Sequence, residues 1–286
     1  MLKRAAFVLL LAAIYLGAAE SHAAKGIVLK TDIARRLLDI SCEEIPGYMD
    51  AMEMRFMVRE AKSLSGLKPG AAVSFTILSH GKNLYAENIR EATTASFESE
   101  PMAAGQLTAL DDMLENRAKV LAIGQHVPDF ALTDQTGKTI HLADCLGKVV
   151  ALTFGYSRCP NPNYCFRLSN NLALVRQRFH ERAGRDLILM TIMIDPEHDR
   201  GATLAQYSDV WKADPAYWHF LTGPRPRIKQ IAGMFGMNFW SVEGLVTHSL
   251  HTAIVDRRGK LAINLEGNQF TPHELGDLVR TVMDQP

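Results

Sequence analysis

The chain has no excess of charge of either sign. Lysine plus arginine number 31 and aspartate plus glutamate number 31, so the formal net charge is zero. Such a balance offers no electrostatic footprint for nucleic acid, and none is expected as a partner. Cysteine is scarce, four residues in 286, which excludes a disulfide-dense scaffold. Beyond the N-terminus no apolar run reaches the roughly 20 residues that a membrane-spanning helix needs. What remains is a chain with 47% hydrophobic residues, enough for one large or two modest domains.

The N-terminus reads as an export signal. Lys3 and Arg4 precede an apolar run from Ala5 to about Ala19, and the small residues Ser21 and Ala23 suit a cleavage site, so residues 1–23 are expected to be a signal peptide. An uncleaved signal acting as a membrane anchor is the alternative. Either way the expected compartment is the periplasm or a similarly oxidising space, where disulfides persist.

Between Gly26 and about Arg90 the texture is short strands and turns: "GIVLK", "RLLDIS", "FMVRE" and "AVSFTIL", with the turn-rich "SLSGLKPG" before the last. Short strands without a long amphipathic helix predict a small all-β barrel of OB type over residues 25–90. Residues 91–122 read as a flexible linker containing one helix, "QLTALDDMLENRAKVL". From there strands and helices alternate. "VVALTF" is a buried strand, Leu168, Leu172, Val175 and Phe179 line one helix face, and "LILMTIMI" is a second buried strand. "HTAIVD" and "KLAIN" flank a hairpin turn, and Thr271-Pro272-His273-Glu274 is a capping box opening a final helix. That order predicts an α/β thioredoxin-like domain over residues 123–286.

"GYSRCPNPNYC" places Cys159 and Cys165 where the first central strand runs into a helix. A thiol there meets the positive end of the helix dipole, which favours thiolate, the form that attacks disulfides and binds metals. A structural staple, a redox couple and a soft-metal clamp are the readings the residues leave open. Cys145, in "LADCLGKVV", has no cysteine close in sequence and reads as a packed small hydrophobe.

"GKVVALTFGYSRCP", "IMIDPEHDR" and "THSLHTAIVDRRG" together resemble the Sco/SenC family, copper-binding thioredoxin-like proteins implicated in maturing the copper centre of cytochrome c oxidase. The resemblance implies copper, as Cu(I) or Cu(II), held by Cys159, Cys165 and a histidine. Counting eleven residues back from Gly259 places that histidine at His248, with His251 the competing candidate. Thiolates suit Cu(I), and an imidazole lets the same site accept Cu(II). The sequence departs from the family in one respect: five residues, not three, separate the cysteines, and Asn161 stands where an acidic residue is common. A peroxiredoxin-like site would place threonine three residues before the reactive cysteine, and this chain has Tyr156 there.

A second cluster lies in "SCEEIPGYMDAMEMRF", with Cys42, Met49, Met52 and Met54. Met52 and Met54 alternate, so on a strand both thioethers share a face. Packing alone is the plain reading of methionine. The stretch nevertheless resembles the CusF-type periplasmic copper/silver-binding barrel, with its M-x-M-x-F motif. The resemblance puts that family's paired methionine ligands at Met52 and Met54, its histidine at Cys42 and its tryptophan near Met49. The whole reads as an exported copper protein, a metallochaperone with a cuproenzyme client such as cytochrome c oxidase. A thiol–disulfide oxidoreductase acting on a client's metal-site cysteines, and a copper-resistance binder, are the alternatives.

Overall fold

The computed structural model describes residues 21–80, 83–92, 120–242 and 245–285. The expected signal peptide lies outside them except for its last three residues. The expected linker, with the helix inside it, lies outside them over residues 93–119.

The first unit is a closed barrel of five strands in the order β1-β2-β3-β5-β4: β1 (Ser21–Asp32), β2 (Leu37–Cys42), β3 (Met52–Met57), β4 (Ala72–His80) and β5 (Asn83–Glu91). Alternation sets its interior. Ala24 and Val28 of β1, Leu38 and Ile40 of β2, Phe56 of β3 and Phe75 and Ile77 of β4 form one buried cluster. Closure leaves no free sheet edge, which a barrel this small needs in order to bury its backbone groups. Two strand boundaries differ from the sequence reading. β1 begins at Ser21, and β3 runs Met52–Met57, four residues ahead of "FMVRE". The reason for the second is register: Cys42 pairs with Met52 and Leu37 with Met57, so β2 dictates where β3 starts.

The second unit is a five-stranded sheet in the order β10-β9-β8-β13-β14. A small hairpin, β6 (Ala131–Thr133) with β7 (Thr139–His141), precedes it. β8 (Val149–Gly155), β9 (Leu187–Met193) and β10 (Trp218–Leu221) run parallel. β13 (His251–Val255) and β14 (Leu261–Glu266) complete the sheet antiparallel. Between β10 and β13 in sequence lies the hairpin of β11 (Phe239–Val242) and β12 (Leu245–His248). The helices are α1 (Arg167–Arg178), α2 (Gly201–Val210), α3 (Arg225–Met234) and α4 (Pro272–Met283). β8 and β9 are buried at every position, as strands covered on both faces must be. Val150, Leu152 and Phe154 pack with α3 on one face, and Val149 and Ala151 pack with α1 and α4 on the other. The capping box at Thr271 and Glu274 is formed, and Cys145 is buried among core residues. This is the thioredoxin-like arrangement, preceded by the small β domain.

The two units touch. Ile27 and Leu29, outward on β1, are buried in the same apolar cluster as Ile263, Leu265 and Leu275. Ser41 Oγ donates to Asp277 Oδ2 at 2.6 Å, and Arg280 pairs with Glu53. Fully burying an aliphatic side chain contributes about 1.5–3 kcal/mol, so Ile27 and Leu29 alone favour docking over two free bodies on a tether. Among the described residues the barrel has no helix of its own over these positions. The second domain covers them.

Candidate metal centre

Three elements deliver the first candidate site. β8 ends at Gly155, and the chain turns through Cys159. Asn161 then caps a single wide π-turn, Pro162–Phe166, by accepting from the Asn163 N–H at 2.9 Å. α1 follows that turn without a break. Cys165 sits inside the turn and is buried, whereas Cys159 is half-buried at the rim. β12 ends at His248. The Cys159, Cys165 and His248 donor atoms all lie within 4.8 Å of one another, the one such group of histidine, cysteine and acidic residues among the described residues. Both cysteines are free thiols here.

The hydrogen bonds say what each donor can do. His248 Nδ1 lies 2.7 Å from the Ser249 carbonyl oxygen, which can only accept, so Nδ1 carries the proton. Nε2 is then left with its lone pair, 3.4 Å from Cys165 Sγ. Fixing the tautomer through the other ring nitrogen is how a ligating histidine is held ready. The two thiols share a proton. A hydrogen bond from Cys165, with help from His248 and the Cys165 backbone, pulls Cys159 down to about 4 against the opposing effect of burial. The same pairing, with burial, drives Cys165 well above the ordinary thiol value. The metal-free pair is therefore one thiolate and one thiol at neutral pH. Tyr156 closes the pocket edge-on to the His248 ring, with centroids 5.8 Å apart. Burial, and then the two cysteines, raise its phenol. A neutral phenol there excludes water without adding charge.

The "DPEHD" segment, quoted for its resemblance and given no role, anchors this loop. Asp199 is fully buried and accepts from the Ser157 backbone N–H at 3.0 Å and from its hydroxyl. Arg158 donates to Asp195 at 2.6 Å. Sequence reasoning missed these holders of the loop, and also the Ser249 carbonyl. The "DPEHD" segment was their visible signal; a backbone carbonyl leaves none. His251 is placed apart from the trio: it lies buried on β13, with Nδ1 unpartnered and its pKa lowered by burial.

In the barrel, Met52 and Met54 lie on the same face of β3 as the interior Phe56, and Cys42 pairs directly with Met52. Met52 is 47% exposed, and Met54 packs on the barrel core. Met49 pairs with Ile45 in the loop that closes this end, and both pack inward. Four sulfur-bearing residues thus gather at one end of the barrel. Cys42 is fully buried, and its thiol is pushed up to about 12 by burial and by Glu274 and Asp277 of α4. It keeps its proton unless a metal displaces it.

Among the described residues no helix is long and apolar enough to cross a membrane. Residues 21–90 match the family described as copper binding periplasmic protein CusF. Protein SCO1 homolog 1, mitochondrial, of Arabidopsis thaliana is 29% identical over 126 residues, which cover 42% of this chain and only 36% of that relative. A solved structure from Aquifex aeolicus VF5 superposes with a TM-score of 0.51 at 18% identity, covering 56% of this chain and 94% of that one, which shows the shared fold. The crystal structure of Arabidopsis thaliana ScoI with copper bound is 26% identical, with a TM-score of 0.48, covering 56% of this chain and 98% of that one. Residues 121–284, more than half of the chain, match the SCO1/SenC model, and the chain belongs to the SCO1/SenC family.

Proposed function

We propose that this is an exported copper-handling protein that binds one copper ion through Cys159, Cys165 and His248 and passes it to a cuproenzyme client, with cytochrome c oxidase as the client class. The observation that supports it is the convergence of two thiols and a tautomer-fixed imidazole within 4.8 Å. Two soft sulfurs suit Cu(I), and the nitrogen adds tolerance of Cu(II). Copper is cargo in this reading. Cys159 at the rim receives or releases it, and Cys165 and His248 hold it from the buried side. The barrel is a second, softer station for Cu(I) or Ag(I) at Met52 and Met54, with Met49 and Cys42 as further sulfur donors. An N-terminal signal, cleaved or retained as an anchor, delivers the chain to the periplasm.

The test is copper titration of the full mature chain. Cys159→Ser or Cys165→Ser should remove one equivalent of tight Cu(I) binding and leave the barrel's, because a neutral hydroxyl is a poor ligand for a soft ion. His248→Ala should weaken Cu(II) more than Cu(I). If His248→Ala matches wild type in both oxidation states, the assignment fails. One observation favours a second reading. A low-pKa rim thiolate beside a buried thiol is also the arrangement of a dithiol reductant, here acting on the metal-site cysteines of a client. The reduction potential of the Cys159/Cys165 pair, measured against copper stoichiometry, separates the two.

A further inference from the structure

We propose that Asn268, between β14 and α4, is a positioning residue of the copper site, tying the turn that carries Cys165 to the strand end that carries His248. The proposal rests on the reading that Cys159, Cys165 and His248 bind copper, and deepens it.

One short segment makes the tie. β14 ends at Glu266, whose register partner is His251, three residues after His248. The next residue, Gly267, has a φ of +82°, a left-handed conformation that glycine adopts without a Cβ clash. Its N–H donates to the Leu250 carbonyl at 2.7 Å, two residues after His248. The turn delivers the Asn268 side chain to the other loop, where Nδ2 donates to the Asn163 carbonyl, two residues before Cys165. The Phe270 carbonyl then accepts from Asn171 Nδ2 at 3.4 Å, which fastens the segment to α1 as well.

Hydrogen-bond chemistry fixes the sense of the contact. A carbonyl only accepts, so the NH₂ end of the amide faces Asn163, and Gln269 Nε2 donates to the remaining Oδ1 at 3.4 Å. Asn268 is buried, and a buried amide is costly unless its hydrogen bonds are made. Here the donor goes to the cysteine turn, Pro162–Phe166, a π-turn of a kind that is rare in isolation. The Asn161 side chain holds residue 163 by its N–H, and Asn268 holds it by its carbonyl. Cys165 is fixed with it. A five-residue spacer has more conformations to lose than a three-residue one, so an outside holder matters more in this chain.

The consequence differs between oxidation states. Two soft thiolates hold Cu(I) by themselves, whereas Cu(II) favours a tetragonal arrangement at which the imidazole must be aimed. Asn268 sets how the Cys165 and His248 elements stand to each other, so its loss falls on Cu(II).

The experiment is anaerobic copper titration of the full mature chain carrying Met52→Ile and Met54→Ile, which silences the barrel's thioethers. Asn268→Leu keeps the volume and removes the donor. It should weaken Cu(II) by at least about tenfold, the usual cost of losing an outer holder of a ligand. Cu(I) affinity should stay unchanged, and the thiolate-to-Cu(II) absorption band should be displaced. Asn268→Gln, with an amide donor on a longer arm, should restore part of the Cu(II) affinity. Equal losses for both ions would show that Asn268 maintains the loop at large and aims no ligand, which overturns the proposal. Asn268→Asp, the isostere without the donor, gives the same reading where Asn268→Leu does not fold. If Cys159→Ser and His248→Ala weaken copper binding in this background and neither Asn268 variant does, the site stands and the proposal falls. If the cysteine and histidine changes alter nothing, both fall together.

Discussion

In the metal-free protein Cys159 should be alkylated at a rate that is flat across the neutral range. Its thiol is pulled to about 4 chiefly by the hydrogen bond from Cys165, five units below the ordinary 9.0. At pH 6 an ordinary thiol of that value is about 0.1% thiolate, whereas Cys159 is almost fully ionised. The gain in thiolate, on the order of a thousandfold, is partly offset. Nucleophilicity falls with basicity at a Brønsted slope of about 0.4, costing roughly a hundredfold over five units. The net expectation is iodoacetamide labelling about tenfold faster than a reference thiol at pH 6, and no faster than it at pH 9. Cys42 and Cys145 are silent here, since both are buried and raised, to about 12 and about 11. Cys165→Ala removes the largest cause and should move the inflection up by several units, restoring a rate that climbs through pH 8. Labelling followed by peptide mass spectrometry from pH 4 to 9 gives both profiles. A wild-type rate that keeps rising from pH 6 to 9 would refute the shared-proton account of the pair.

Three further outcomes follow from the same geometry. Glu274 is buried at the interface, and burial raises it from 4.5 to about 7. The folded state therefore holds this proton more tightly than the unfolded one, and stability falls as pH rises through that window. Denaturant melts should show wild type losing about 2 kcal/mol more than Glu274→Gln between pH 5 and 7.5; equal losses would show that Glu274 does not titrate there. Gly70 has a φ of +93° and faces Ile263 and Leu265 across the interface, 3.1 Å from where a Cβ would sit. Gly70→Ala should cost about 1–2 kcal/mol in backbone strain alone and loosen the domain contact, seen as faster proteolysis between the units. Oxidising the Cys159/Cys165 pair closes a loop so short that the chain-entropy gain is only about 2 kcal/mol. Melting curves with and without reductant should thus differ modestly, and collapse of the fold on reduction would make the pair a staple.

The sequence alone determined the elements whose signals are local. The periodicity of Leu168, Leu172 and Val175 marked α1, continuous apolar runs marked β8 and β9, and Thr271 to Glu274 marked the start of α4, because each is read within a few residues of itself. It also named Cys159, Cys165 and His248, the last only by counting back from a hairpin glycine in a recognised motif. Tertiary structure decided what depends on register and docking. The start of β3 follows from its pairing with β2, which no linear pattern encodes. Which nitrogen of His248 is free was set by a backbone carbonyl, and backbone carbonyls look alike in every sequence. The raised thiol of Cys42 was set by Glu274 and Asp277, more than two hundred residues away. Electrostatic neighbours act through space, so their effect became visible only when the chain had brought them together.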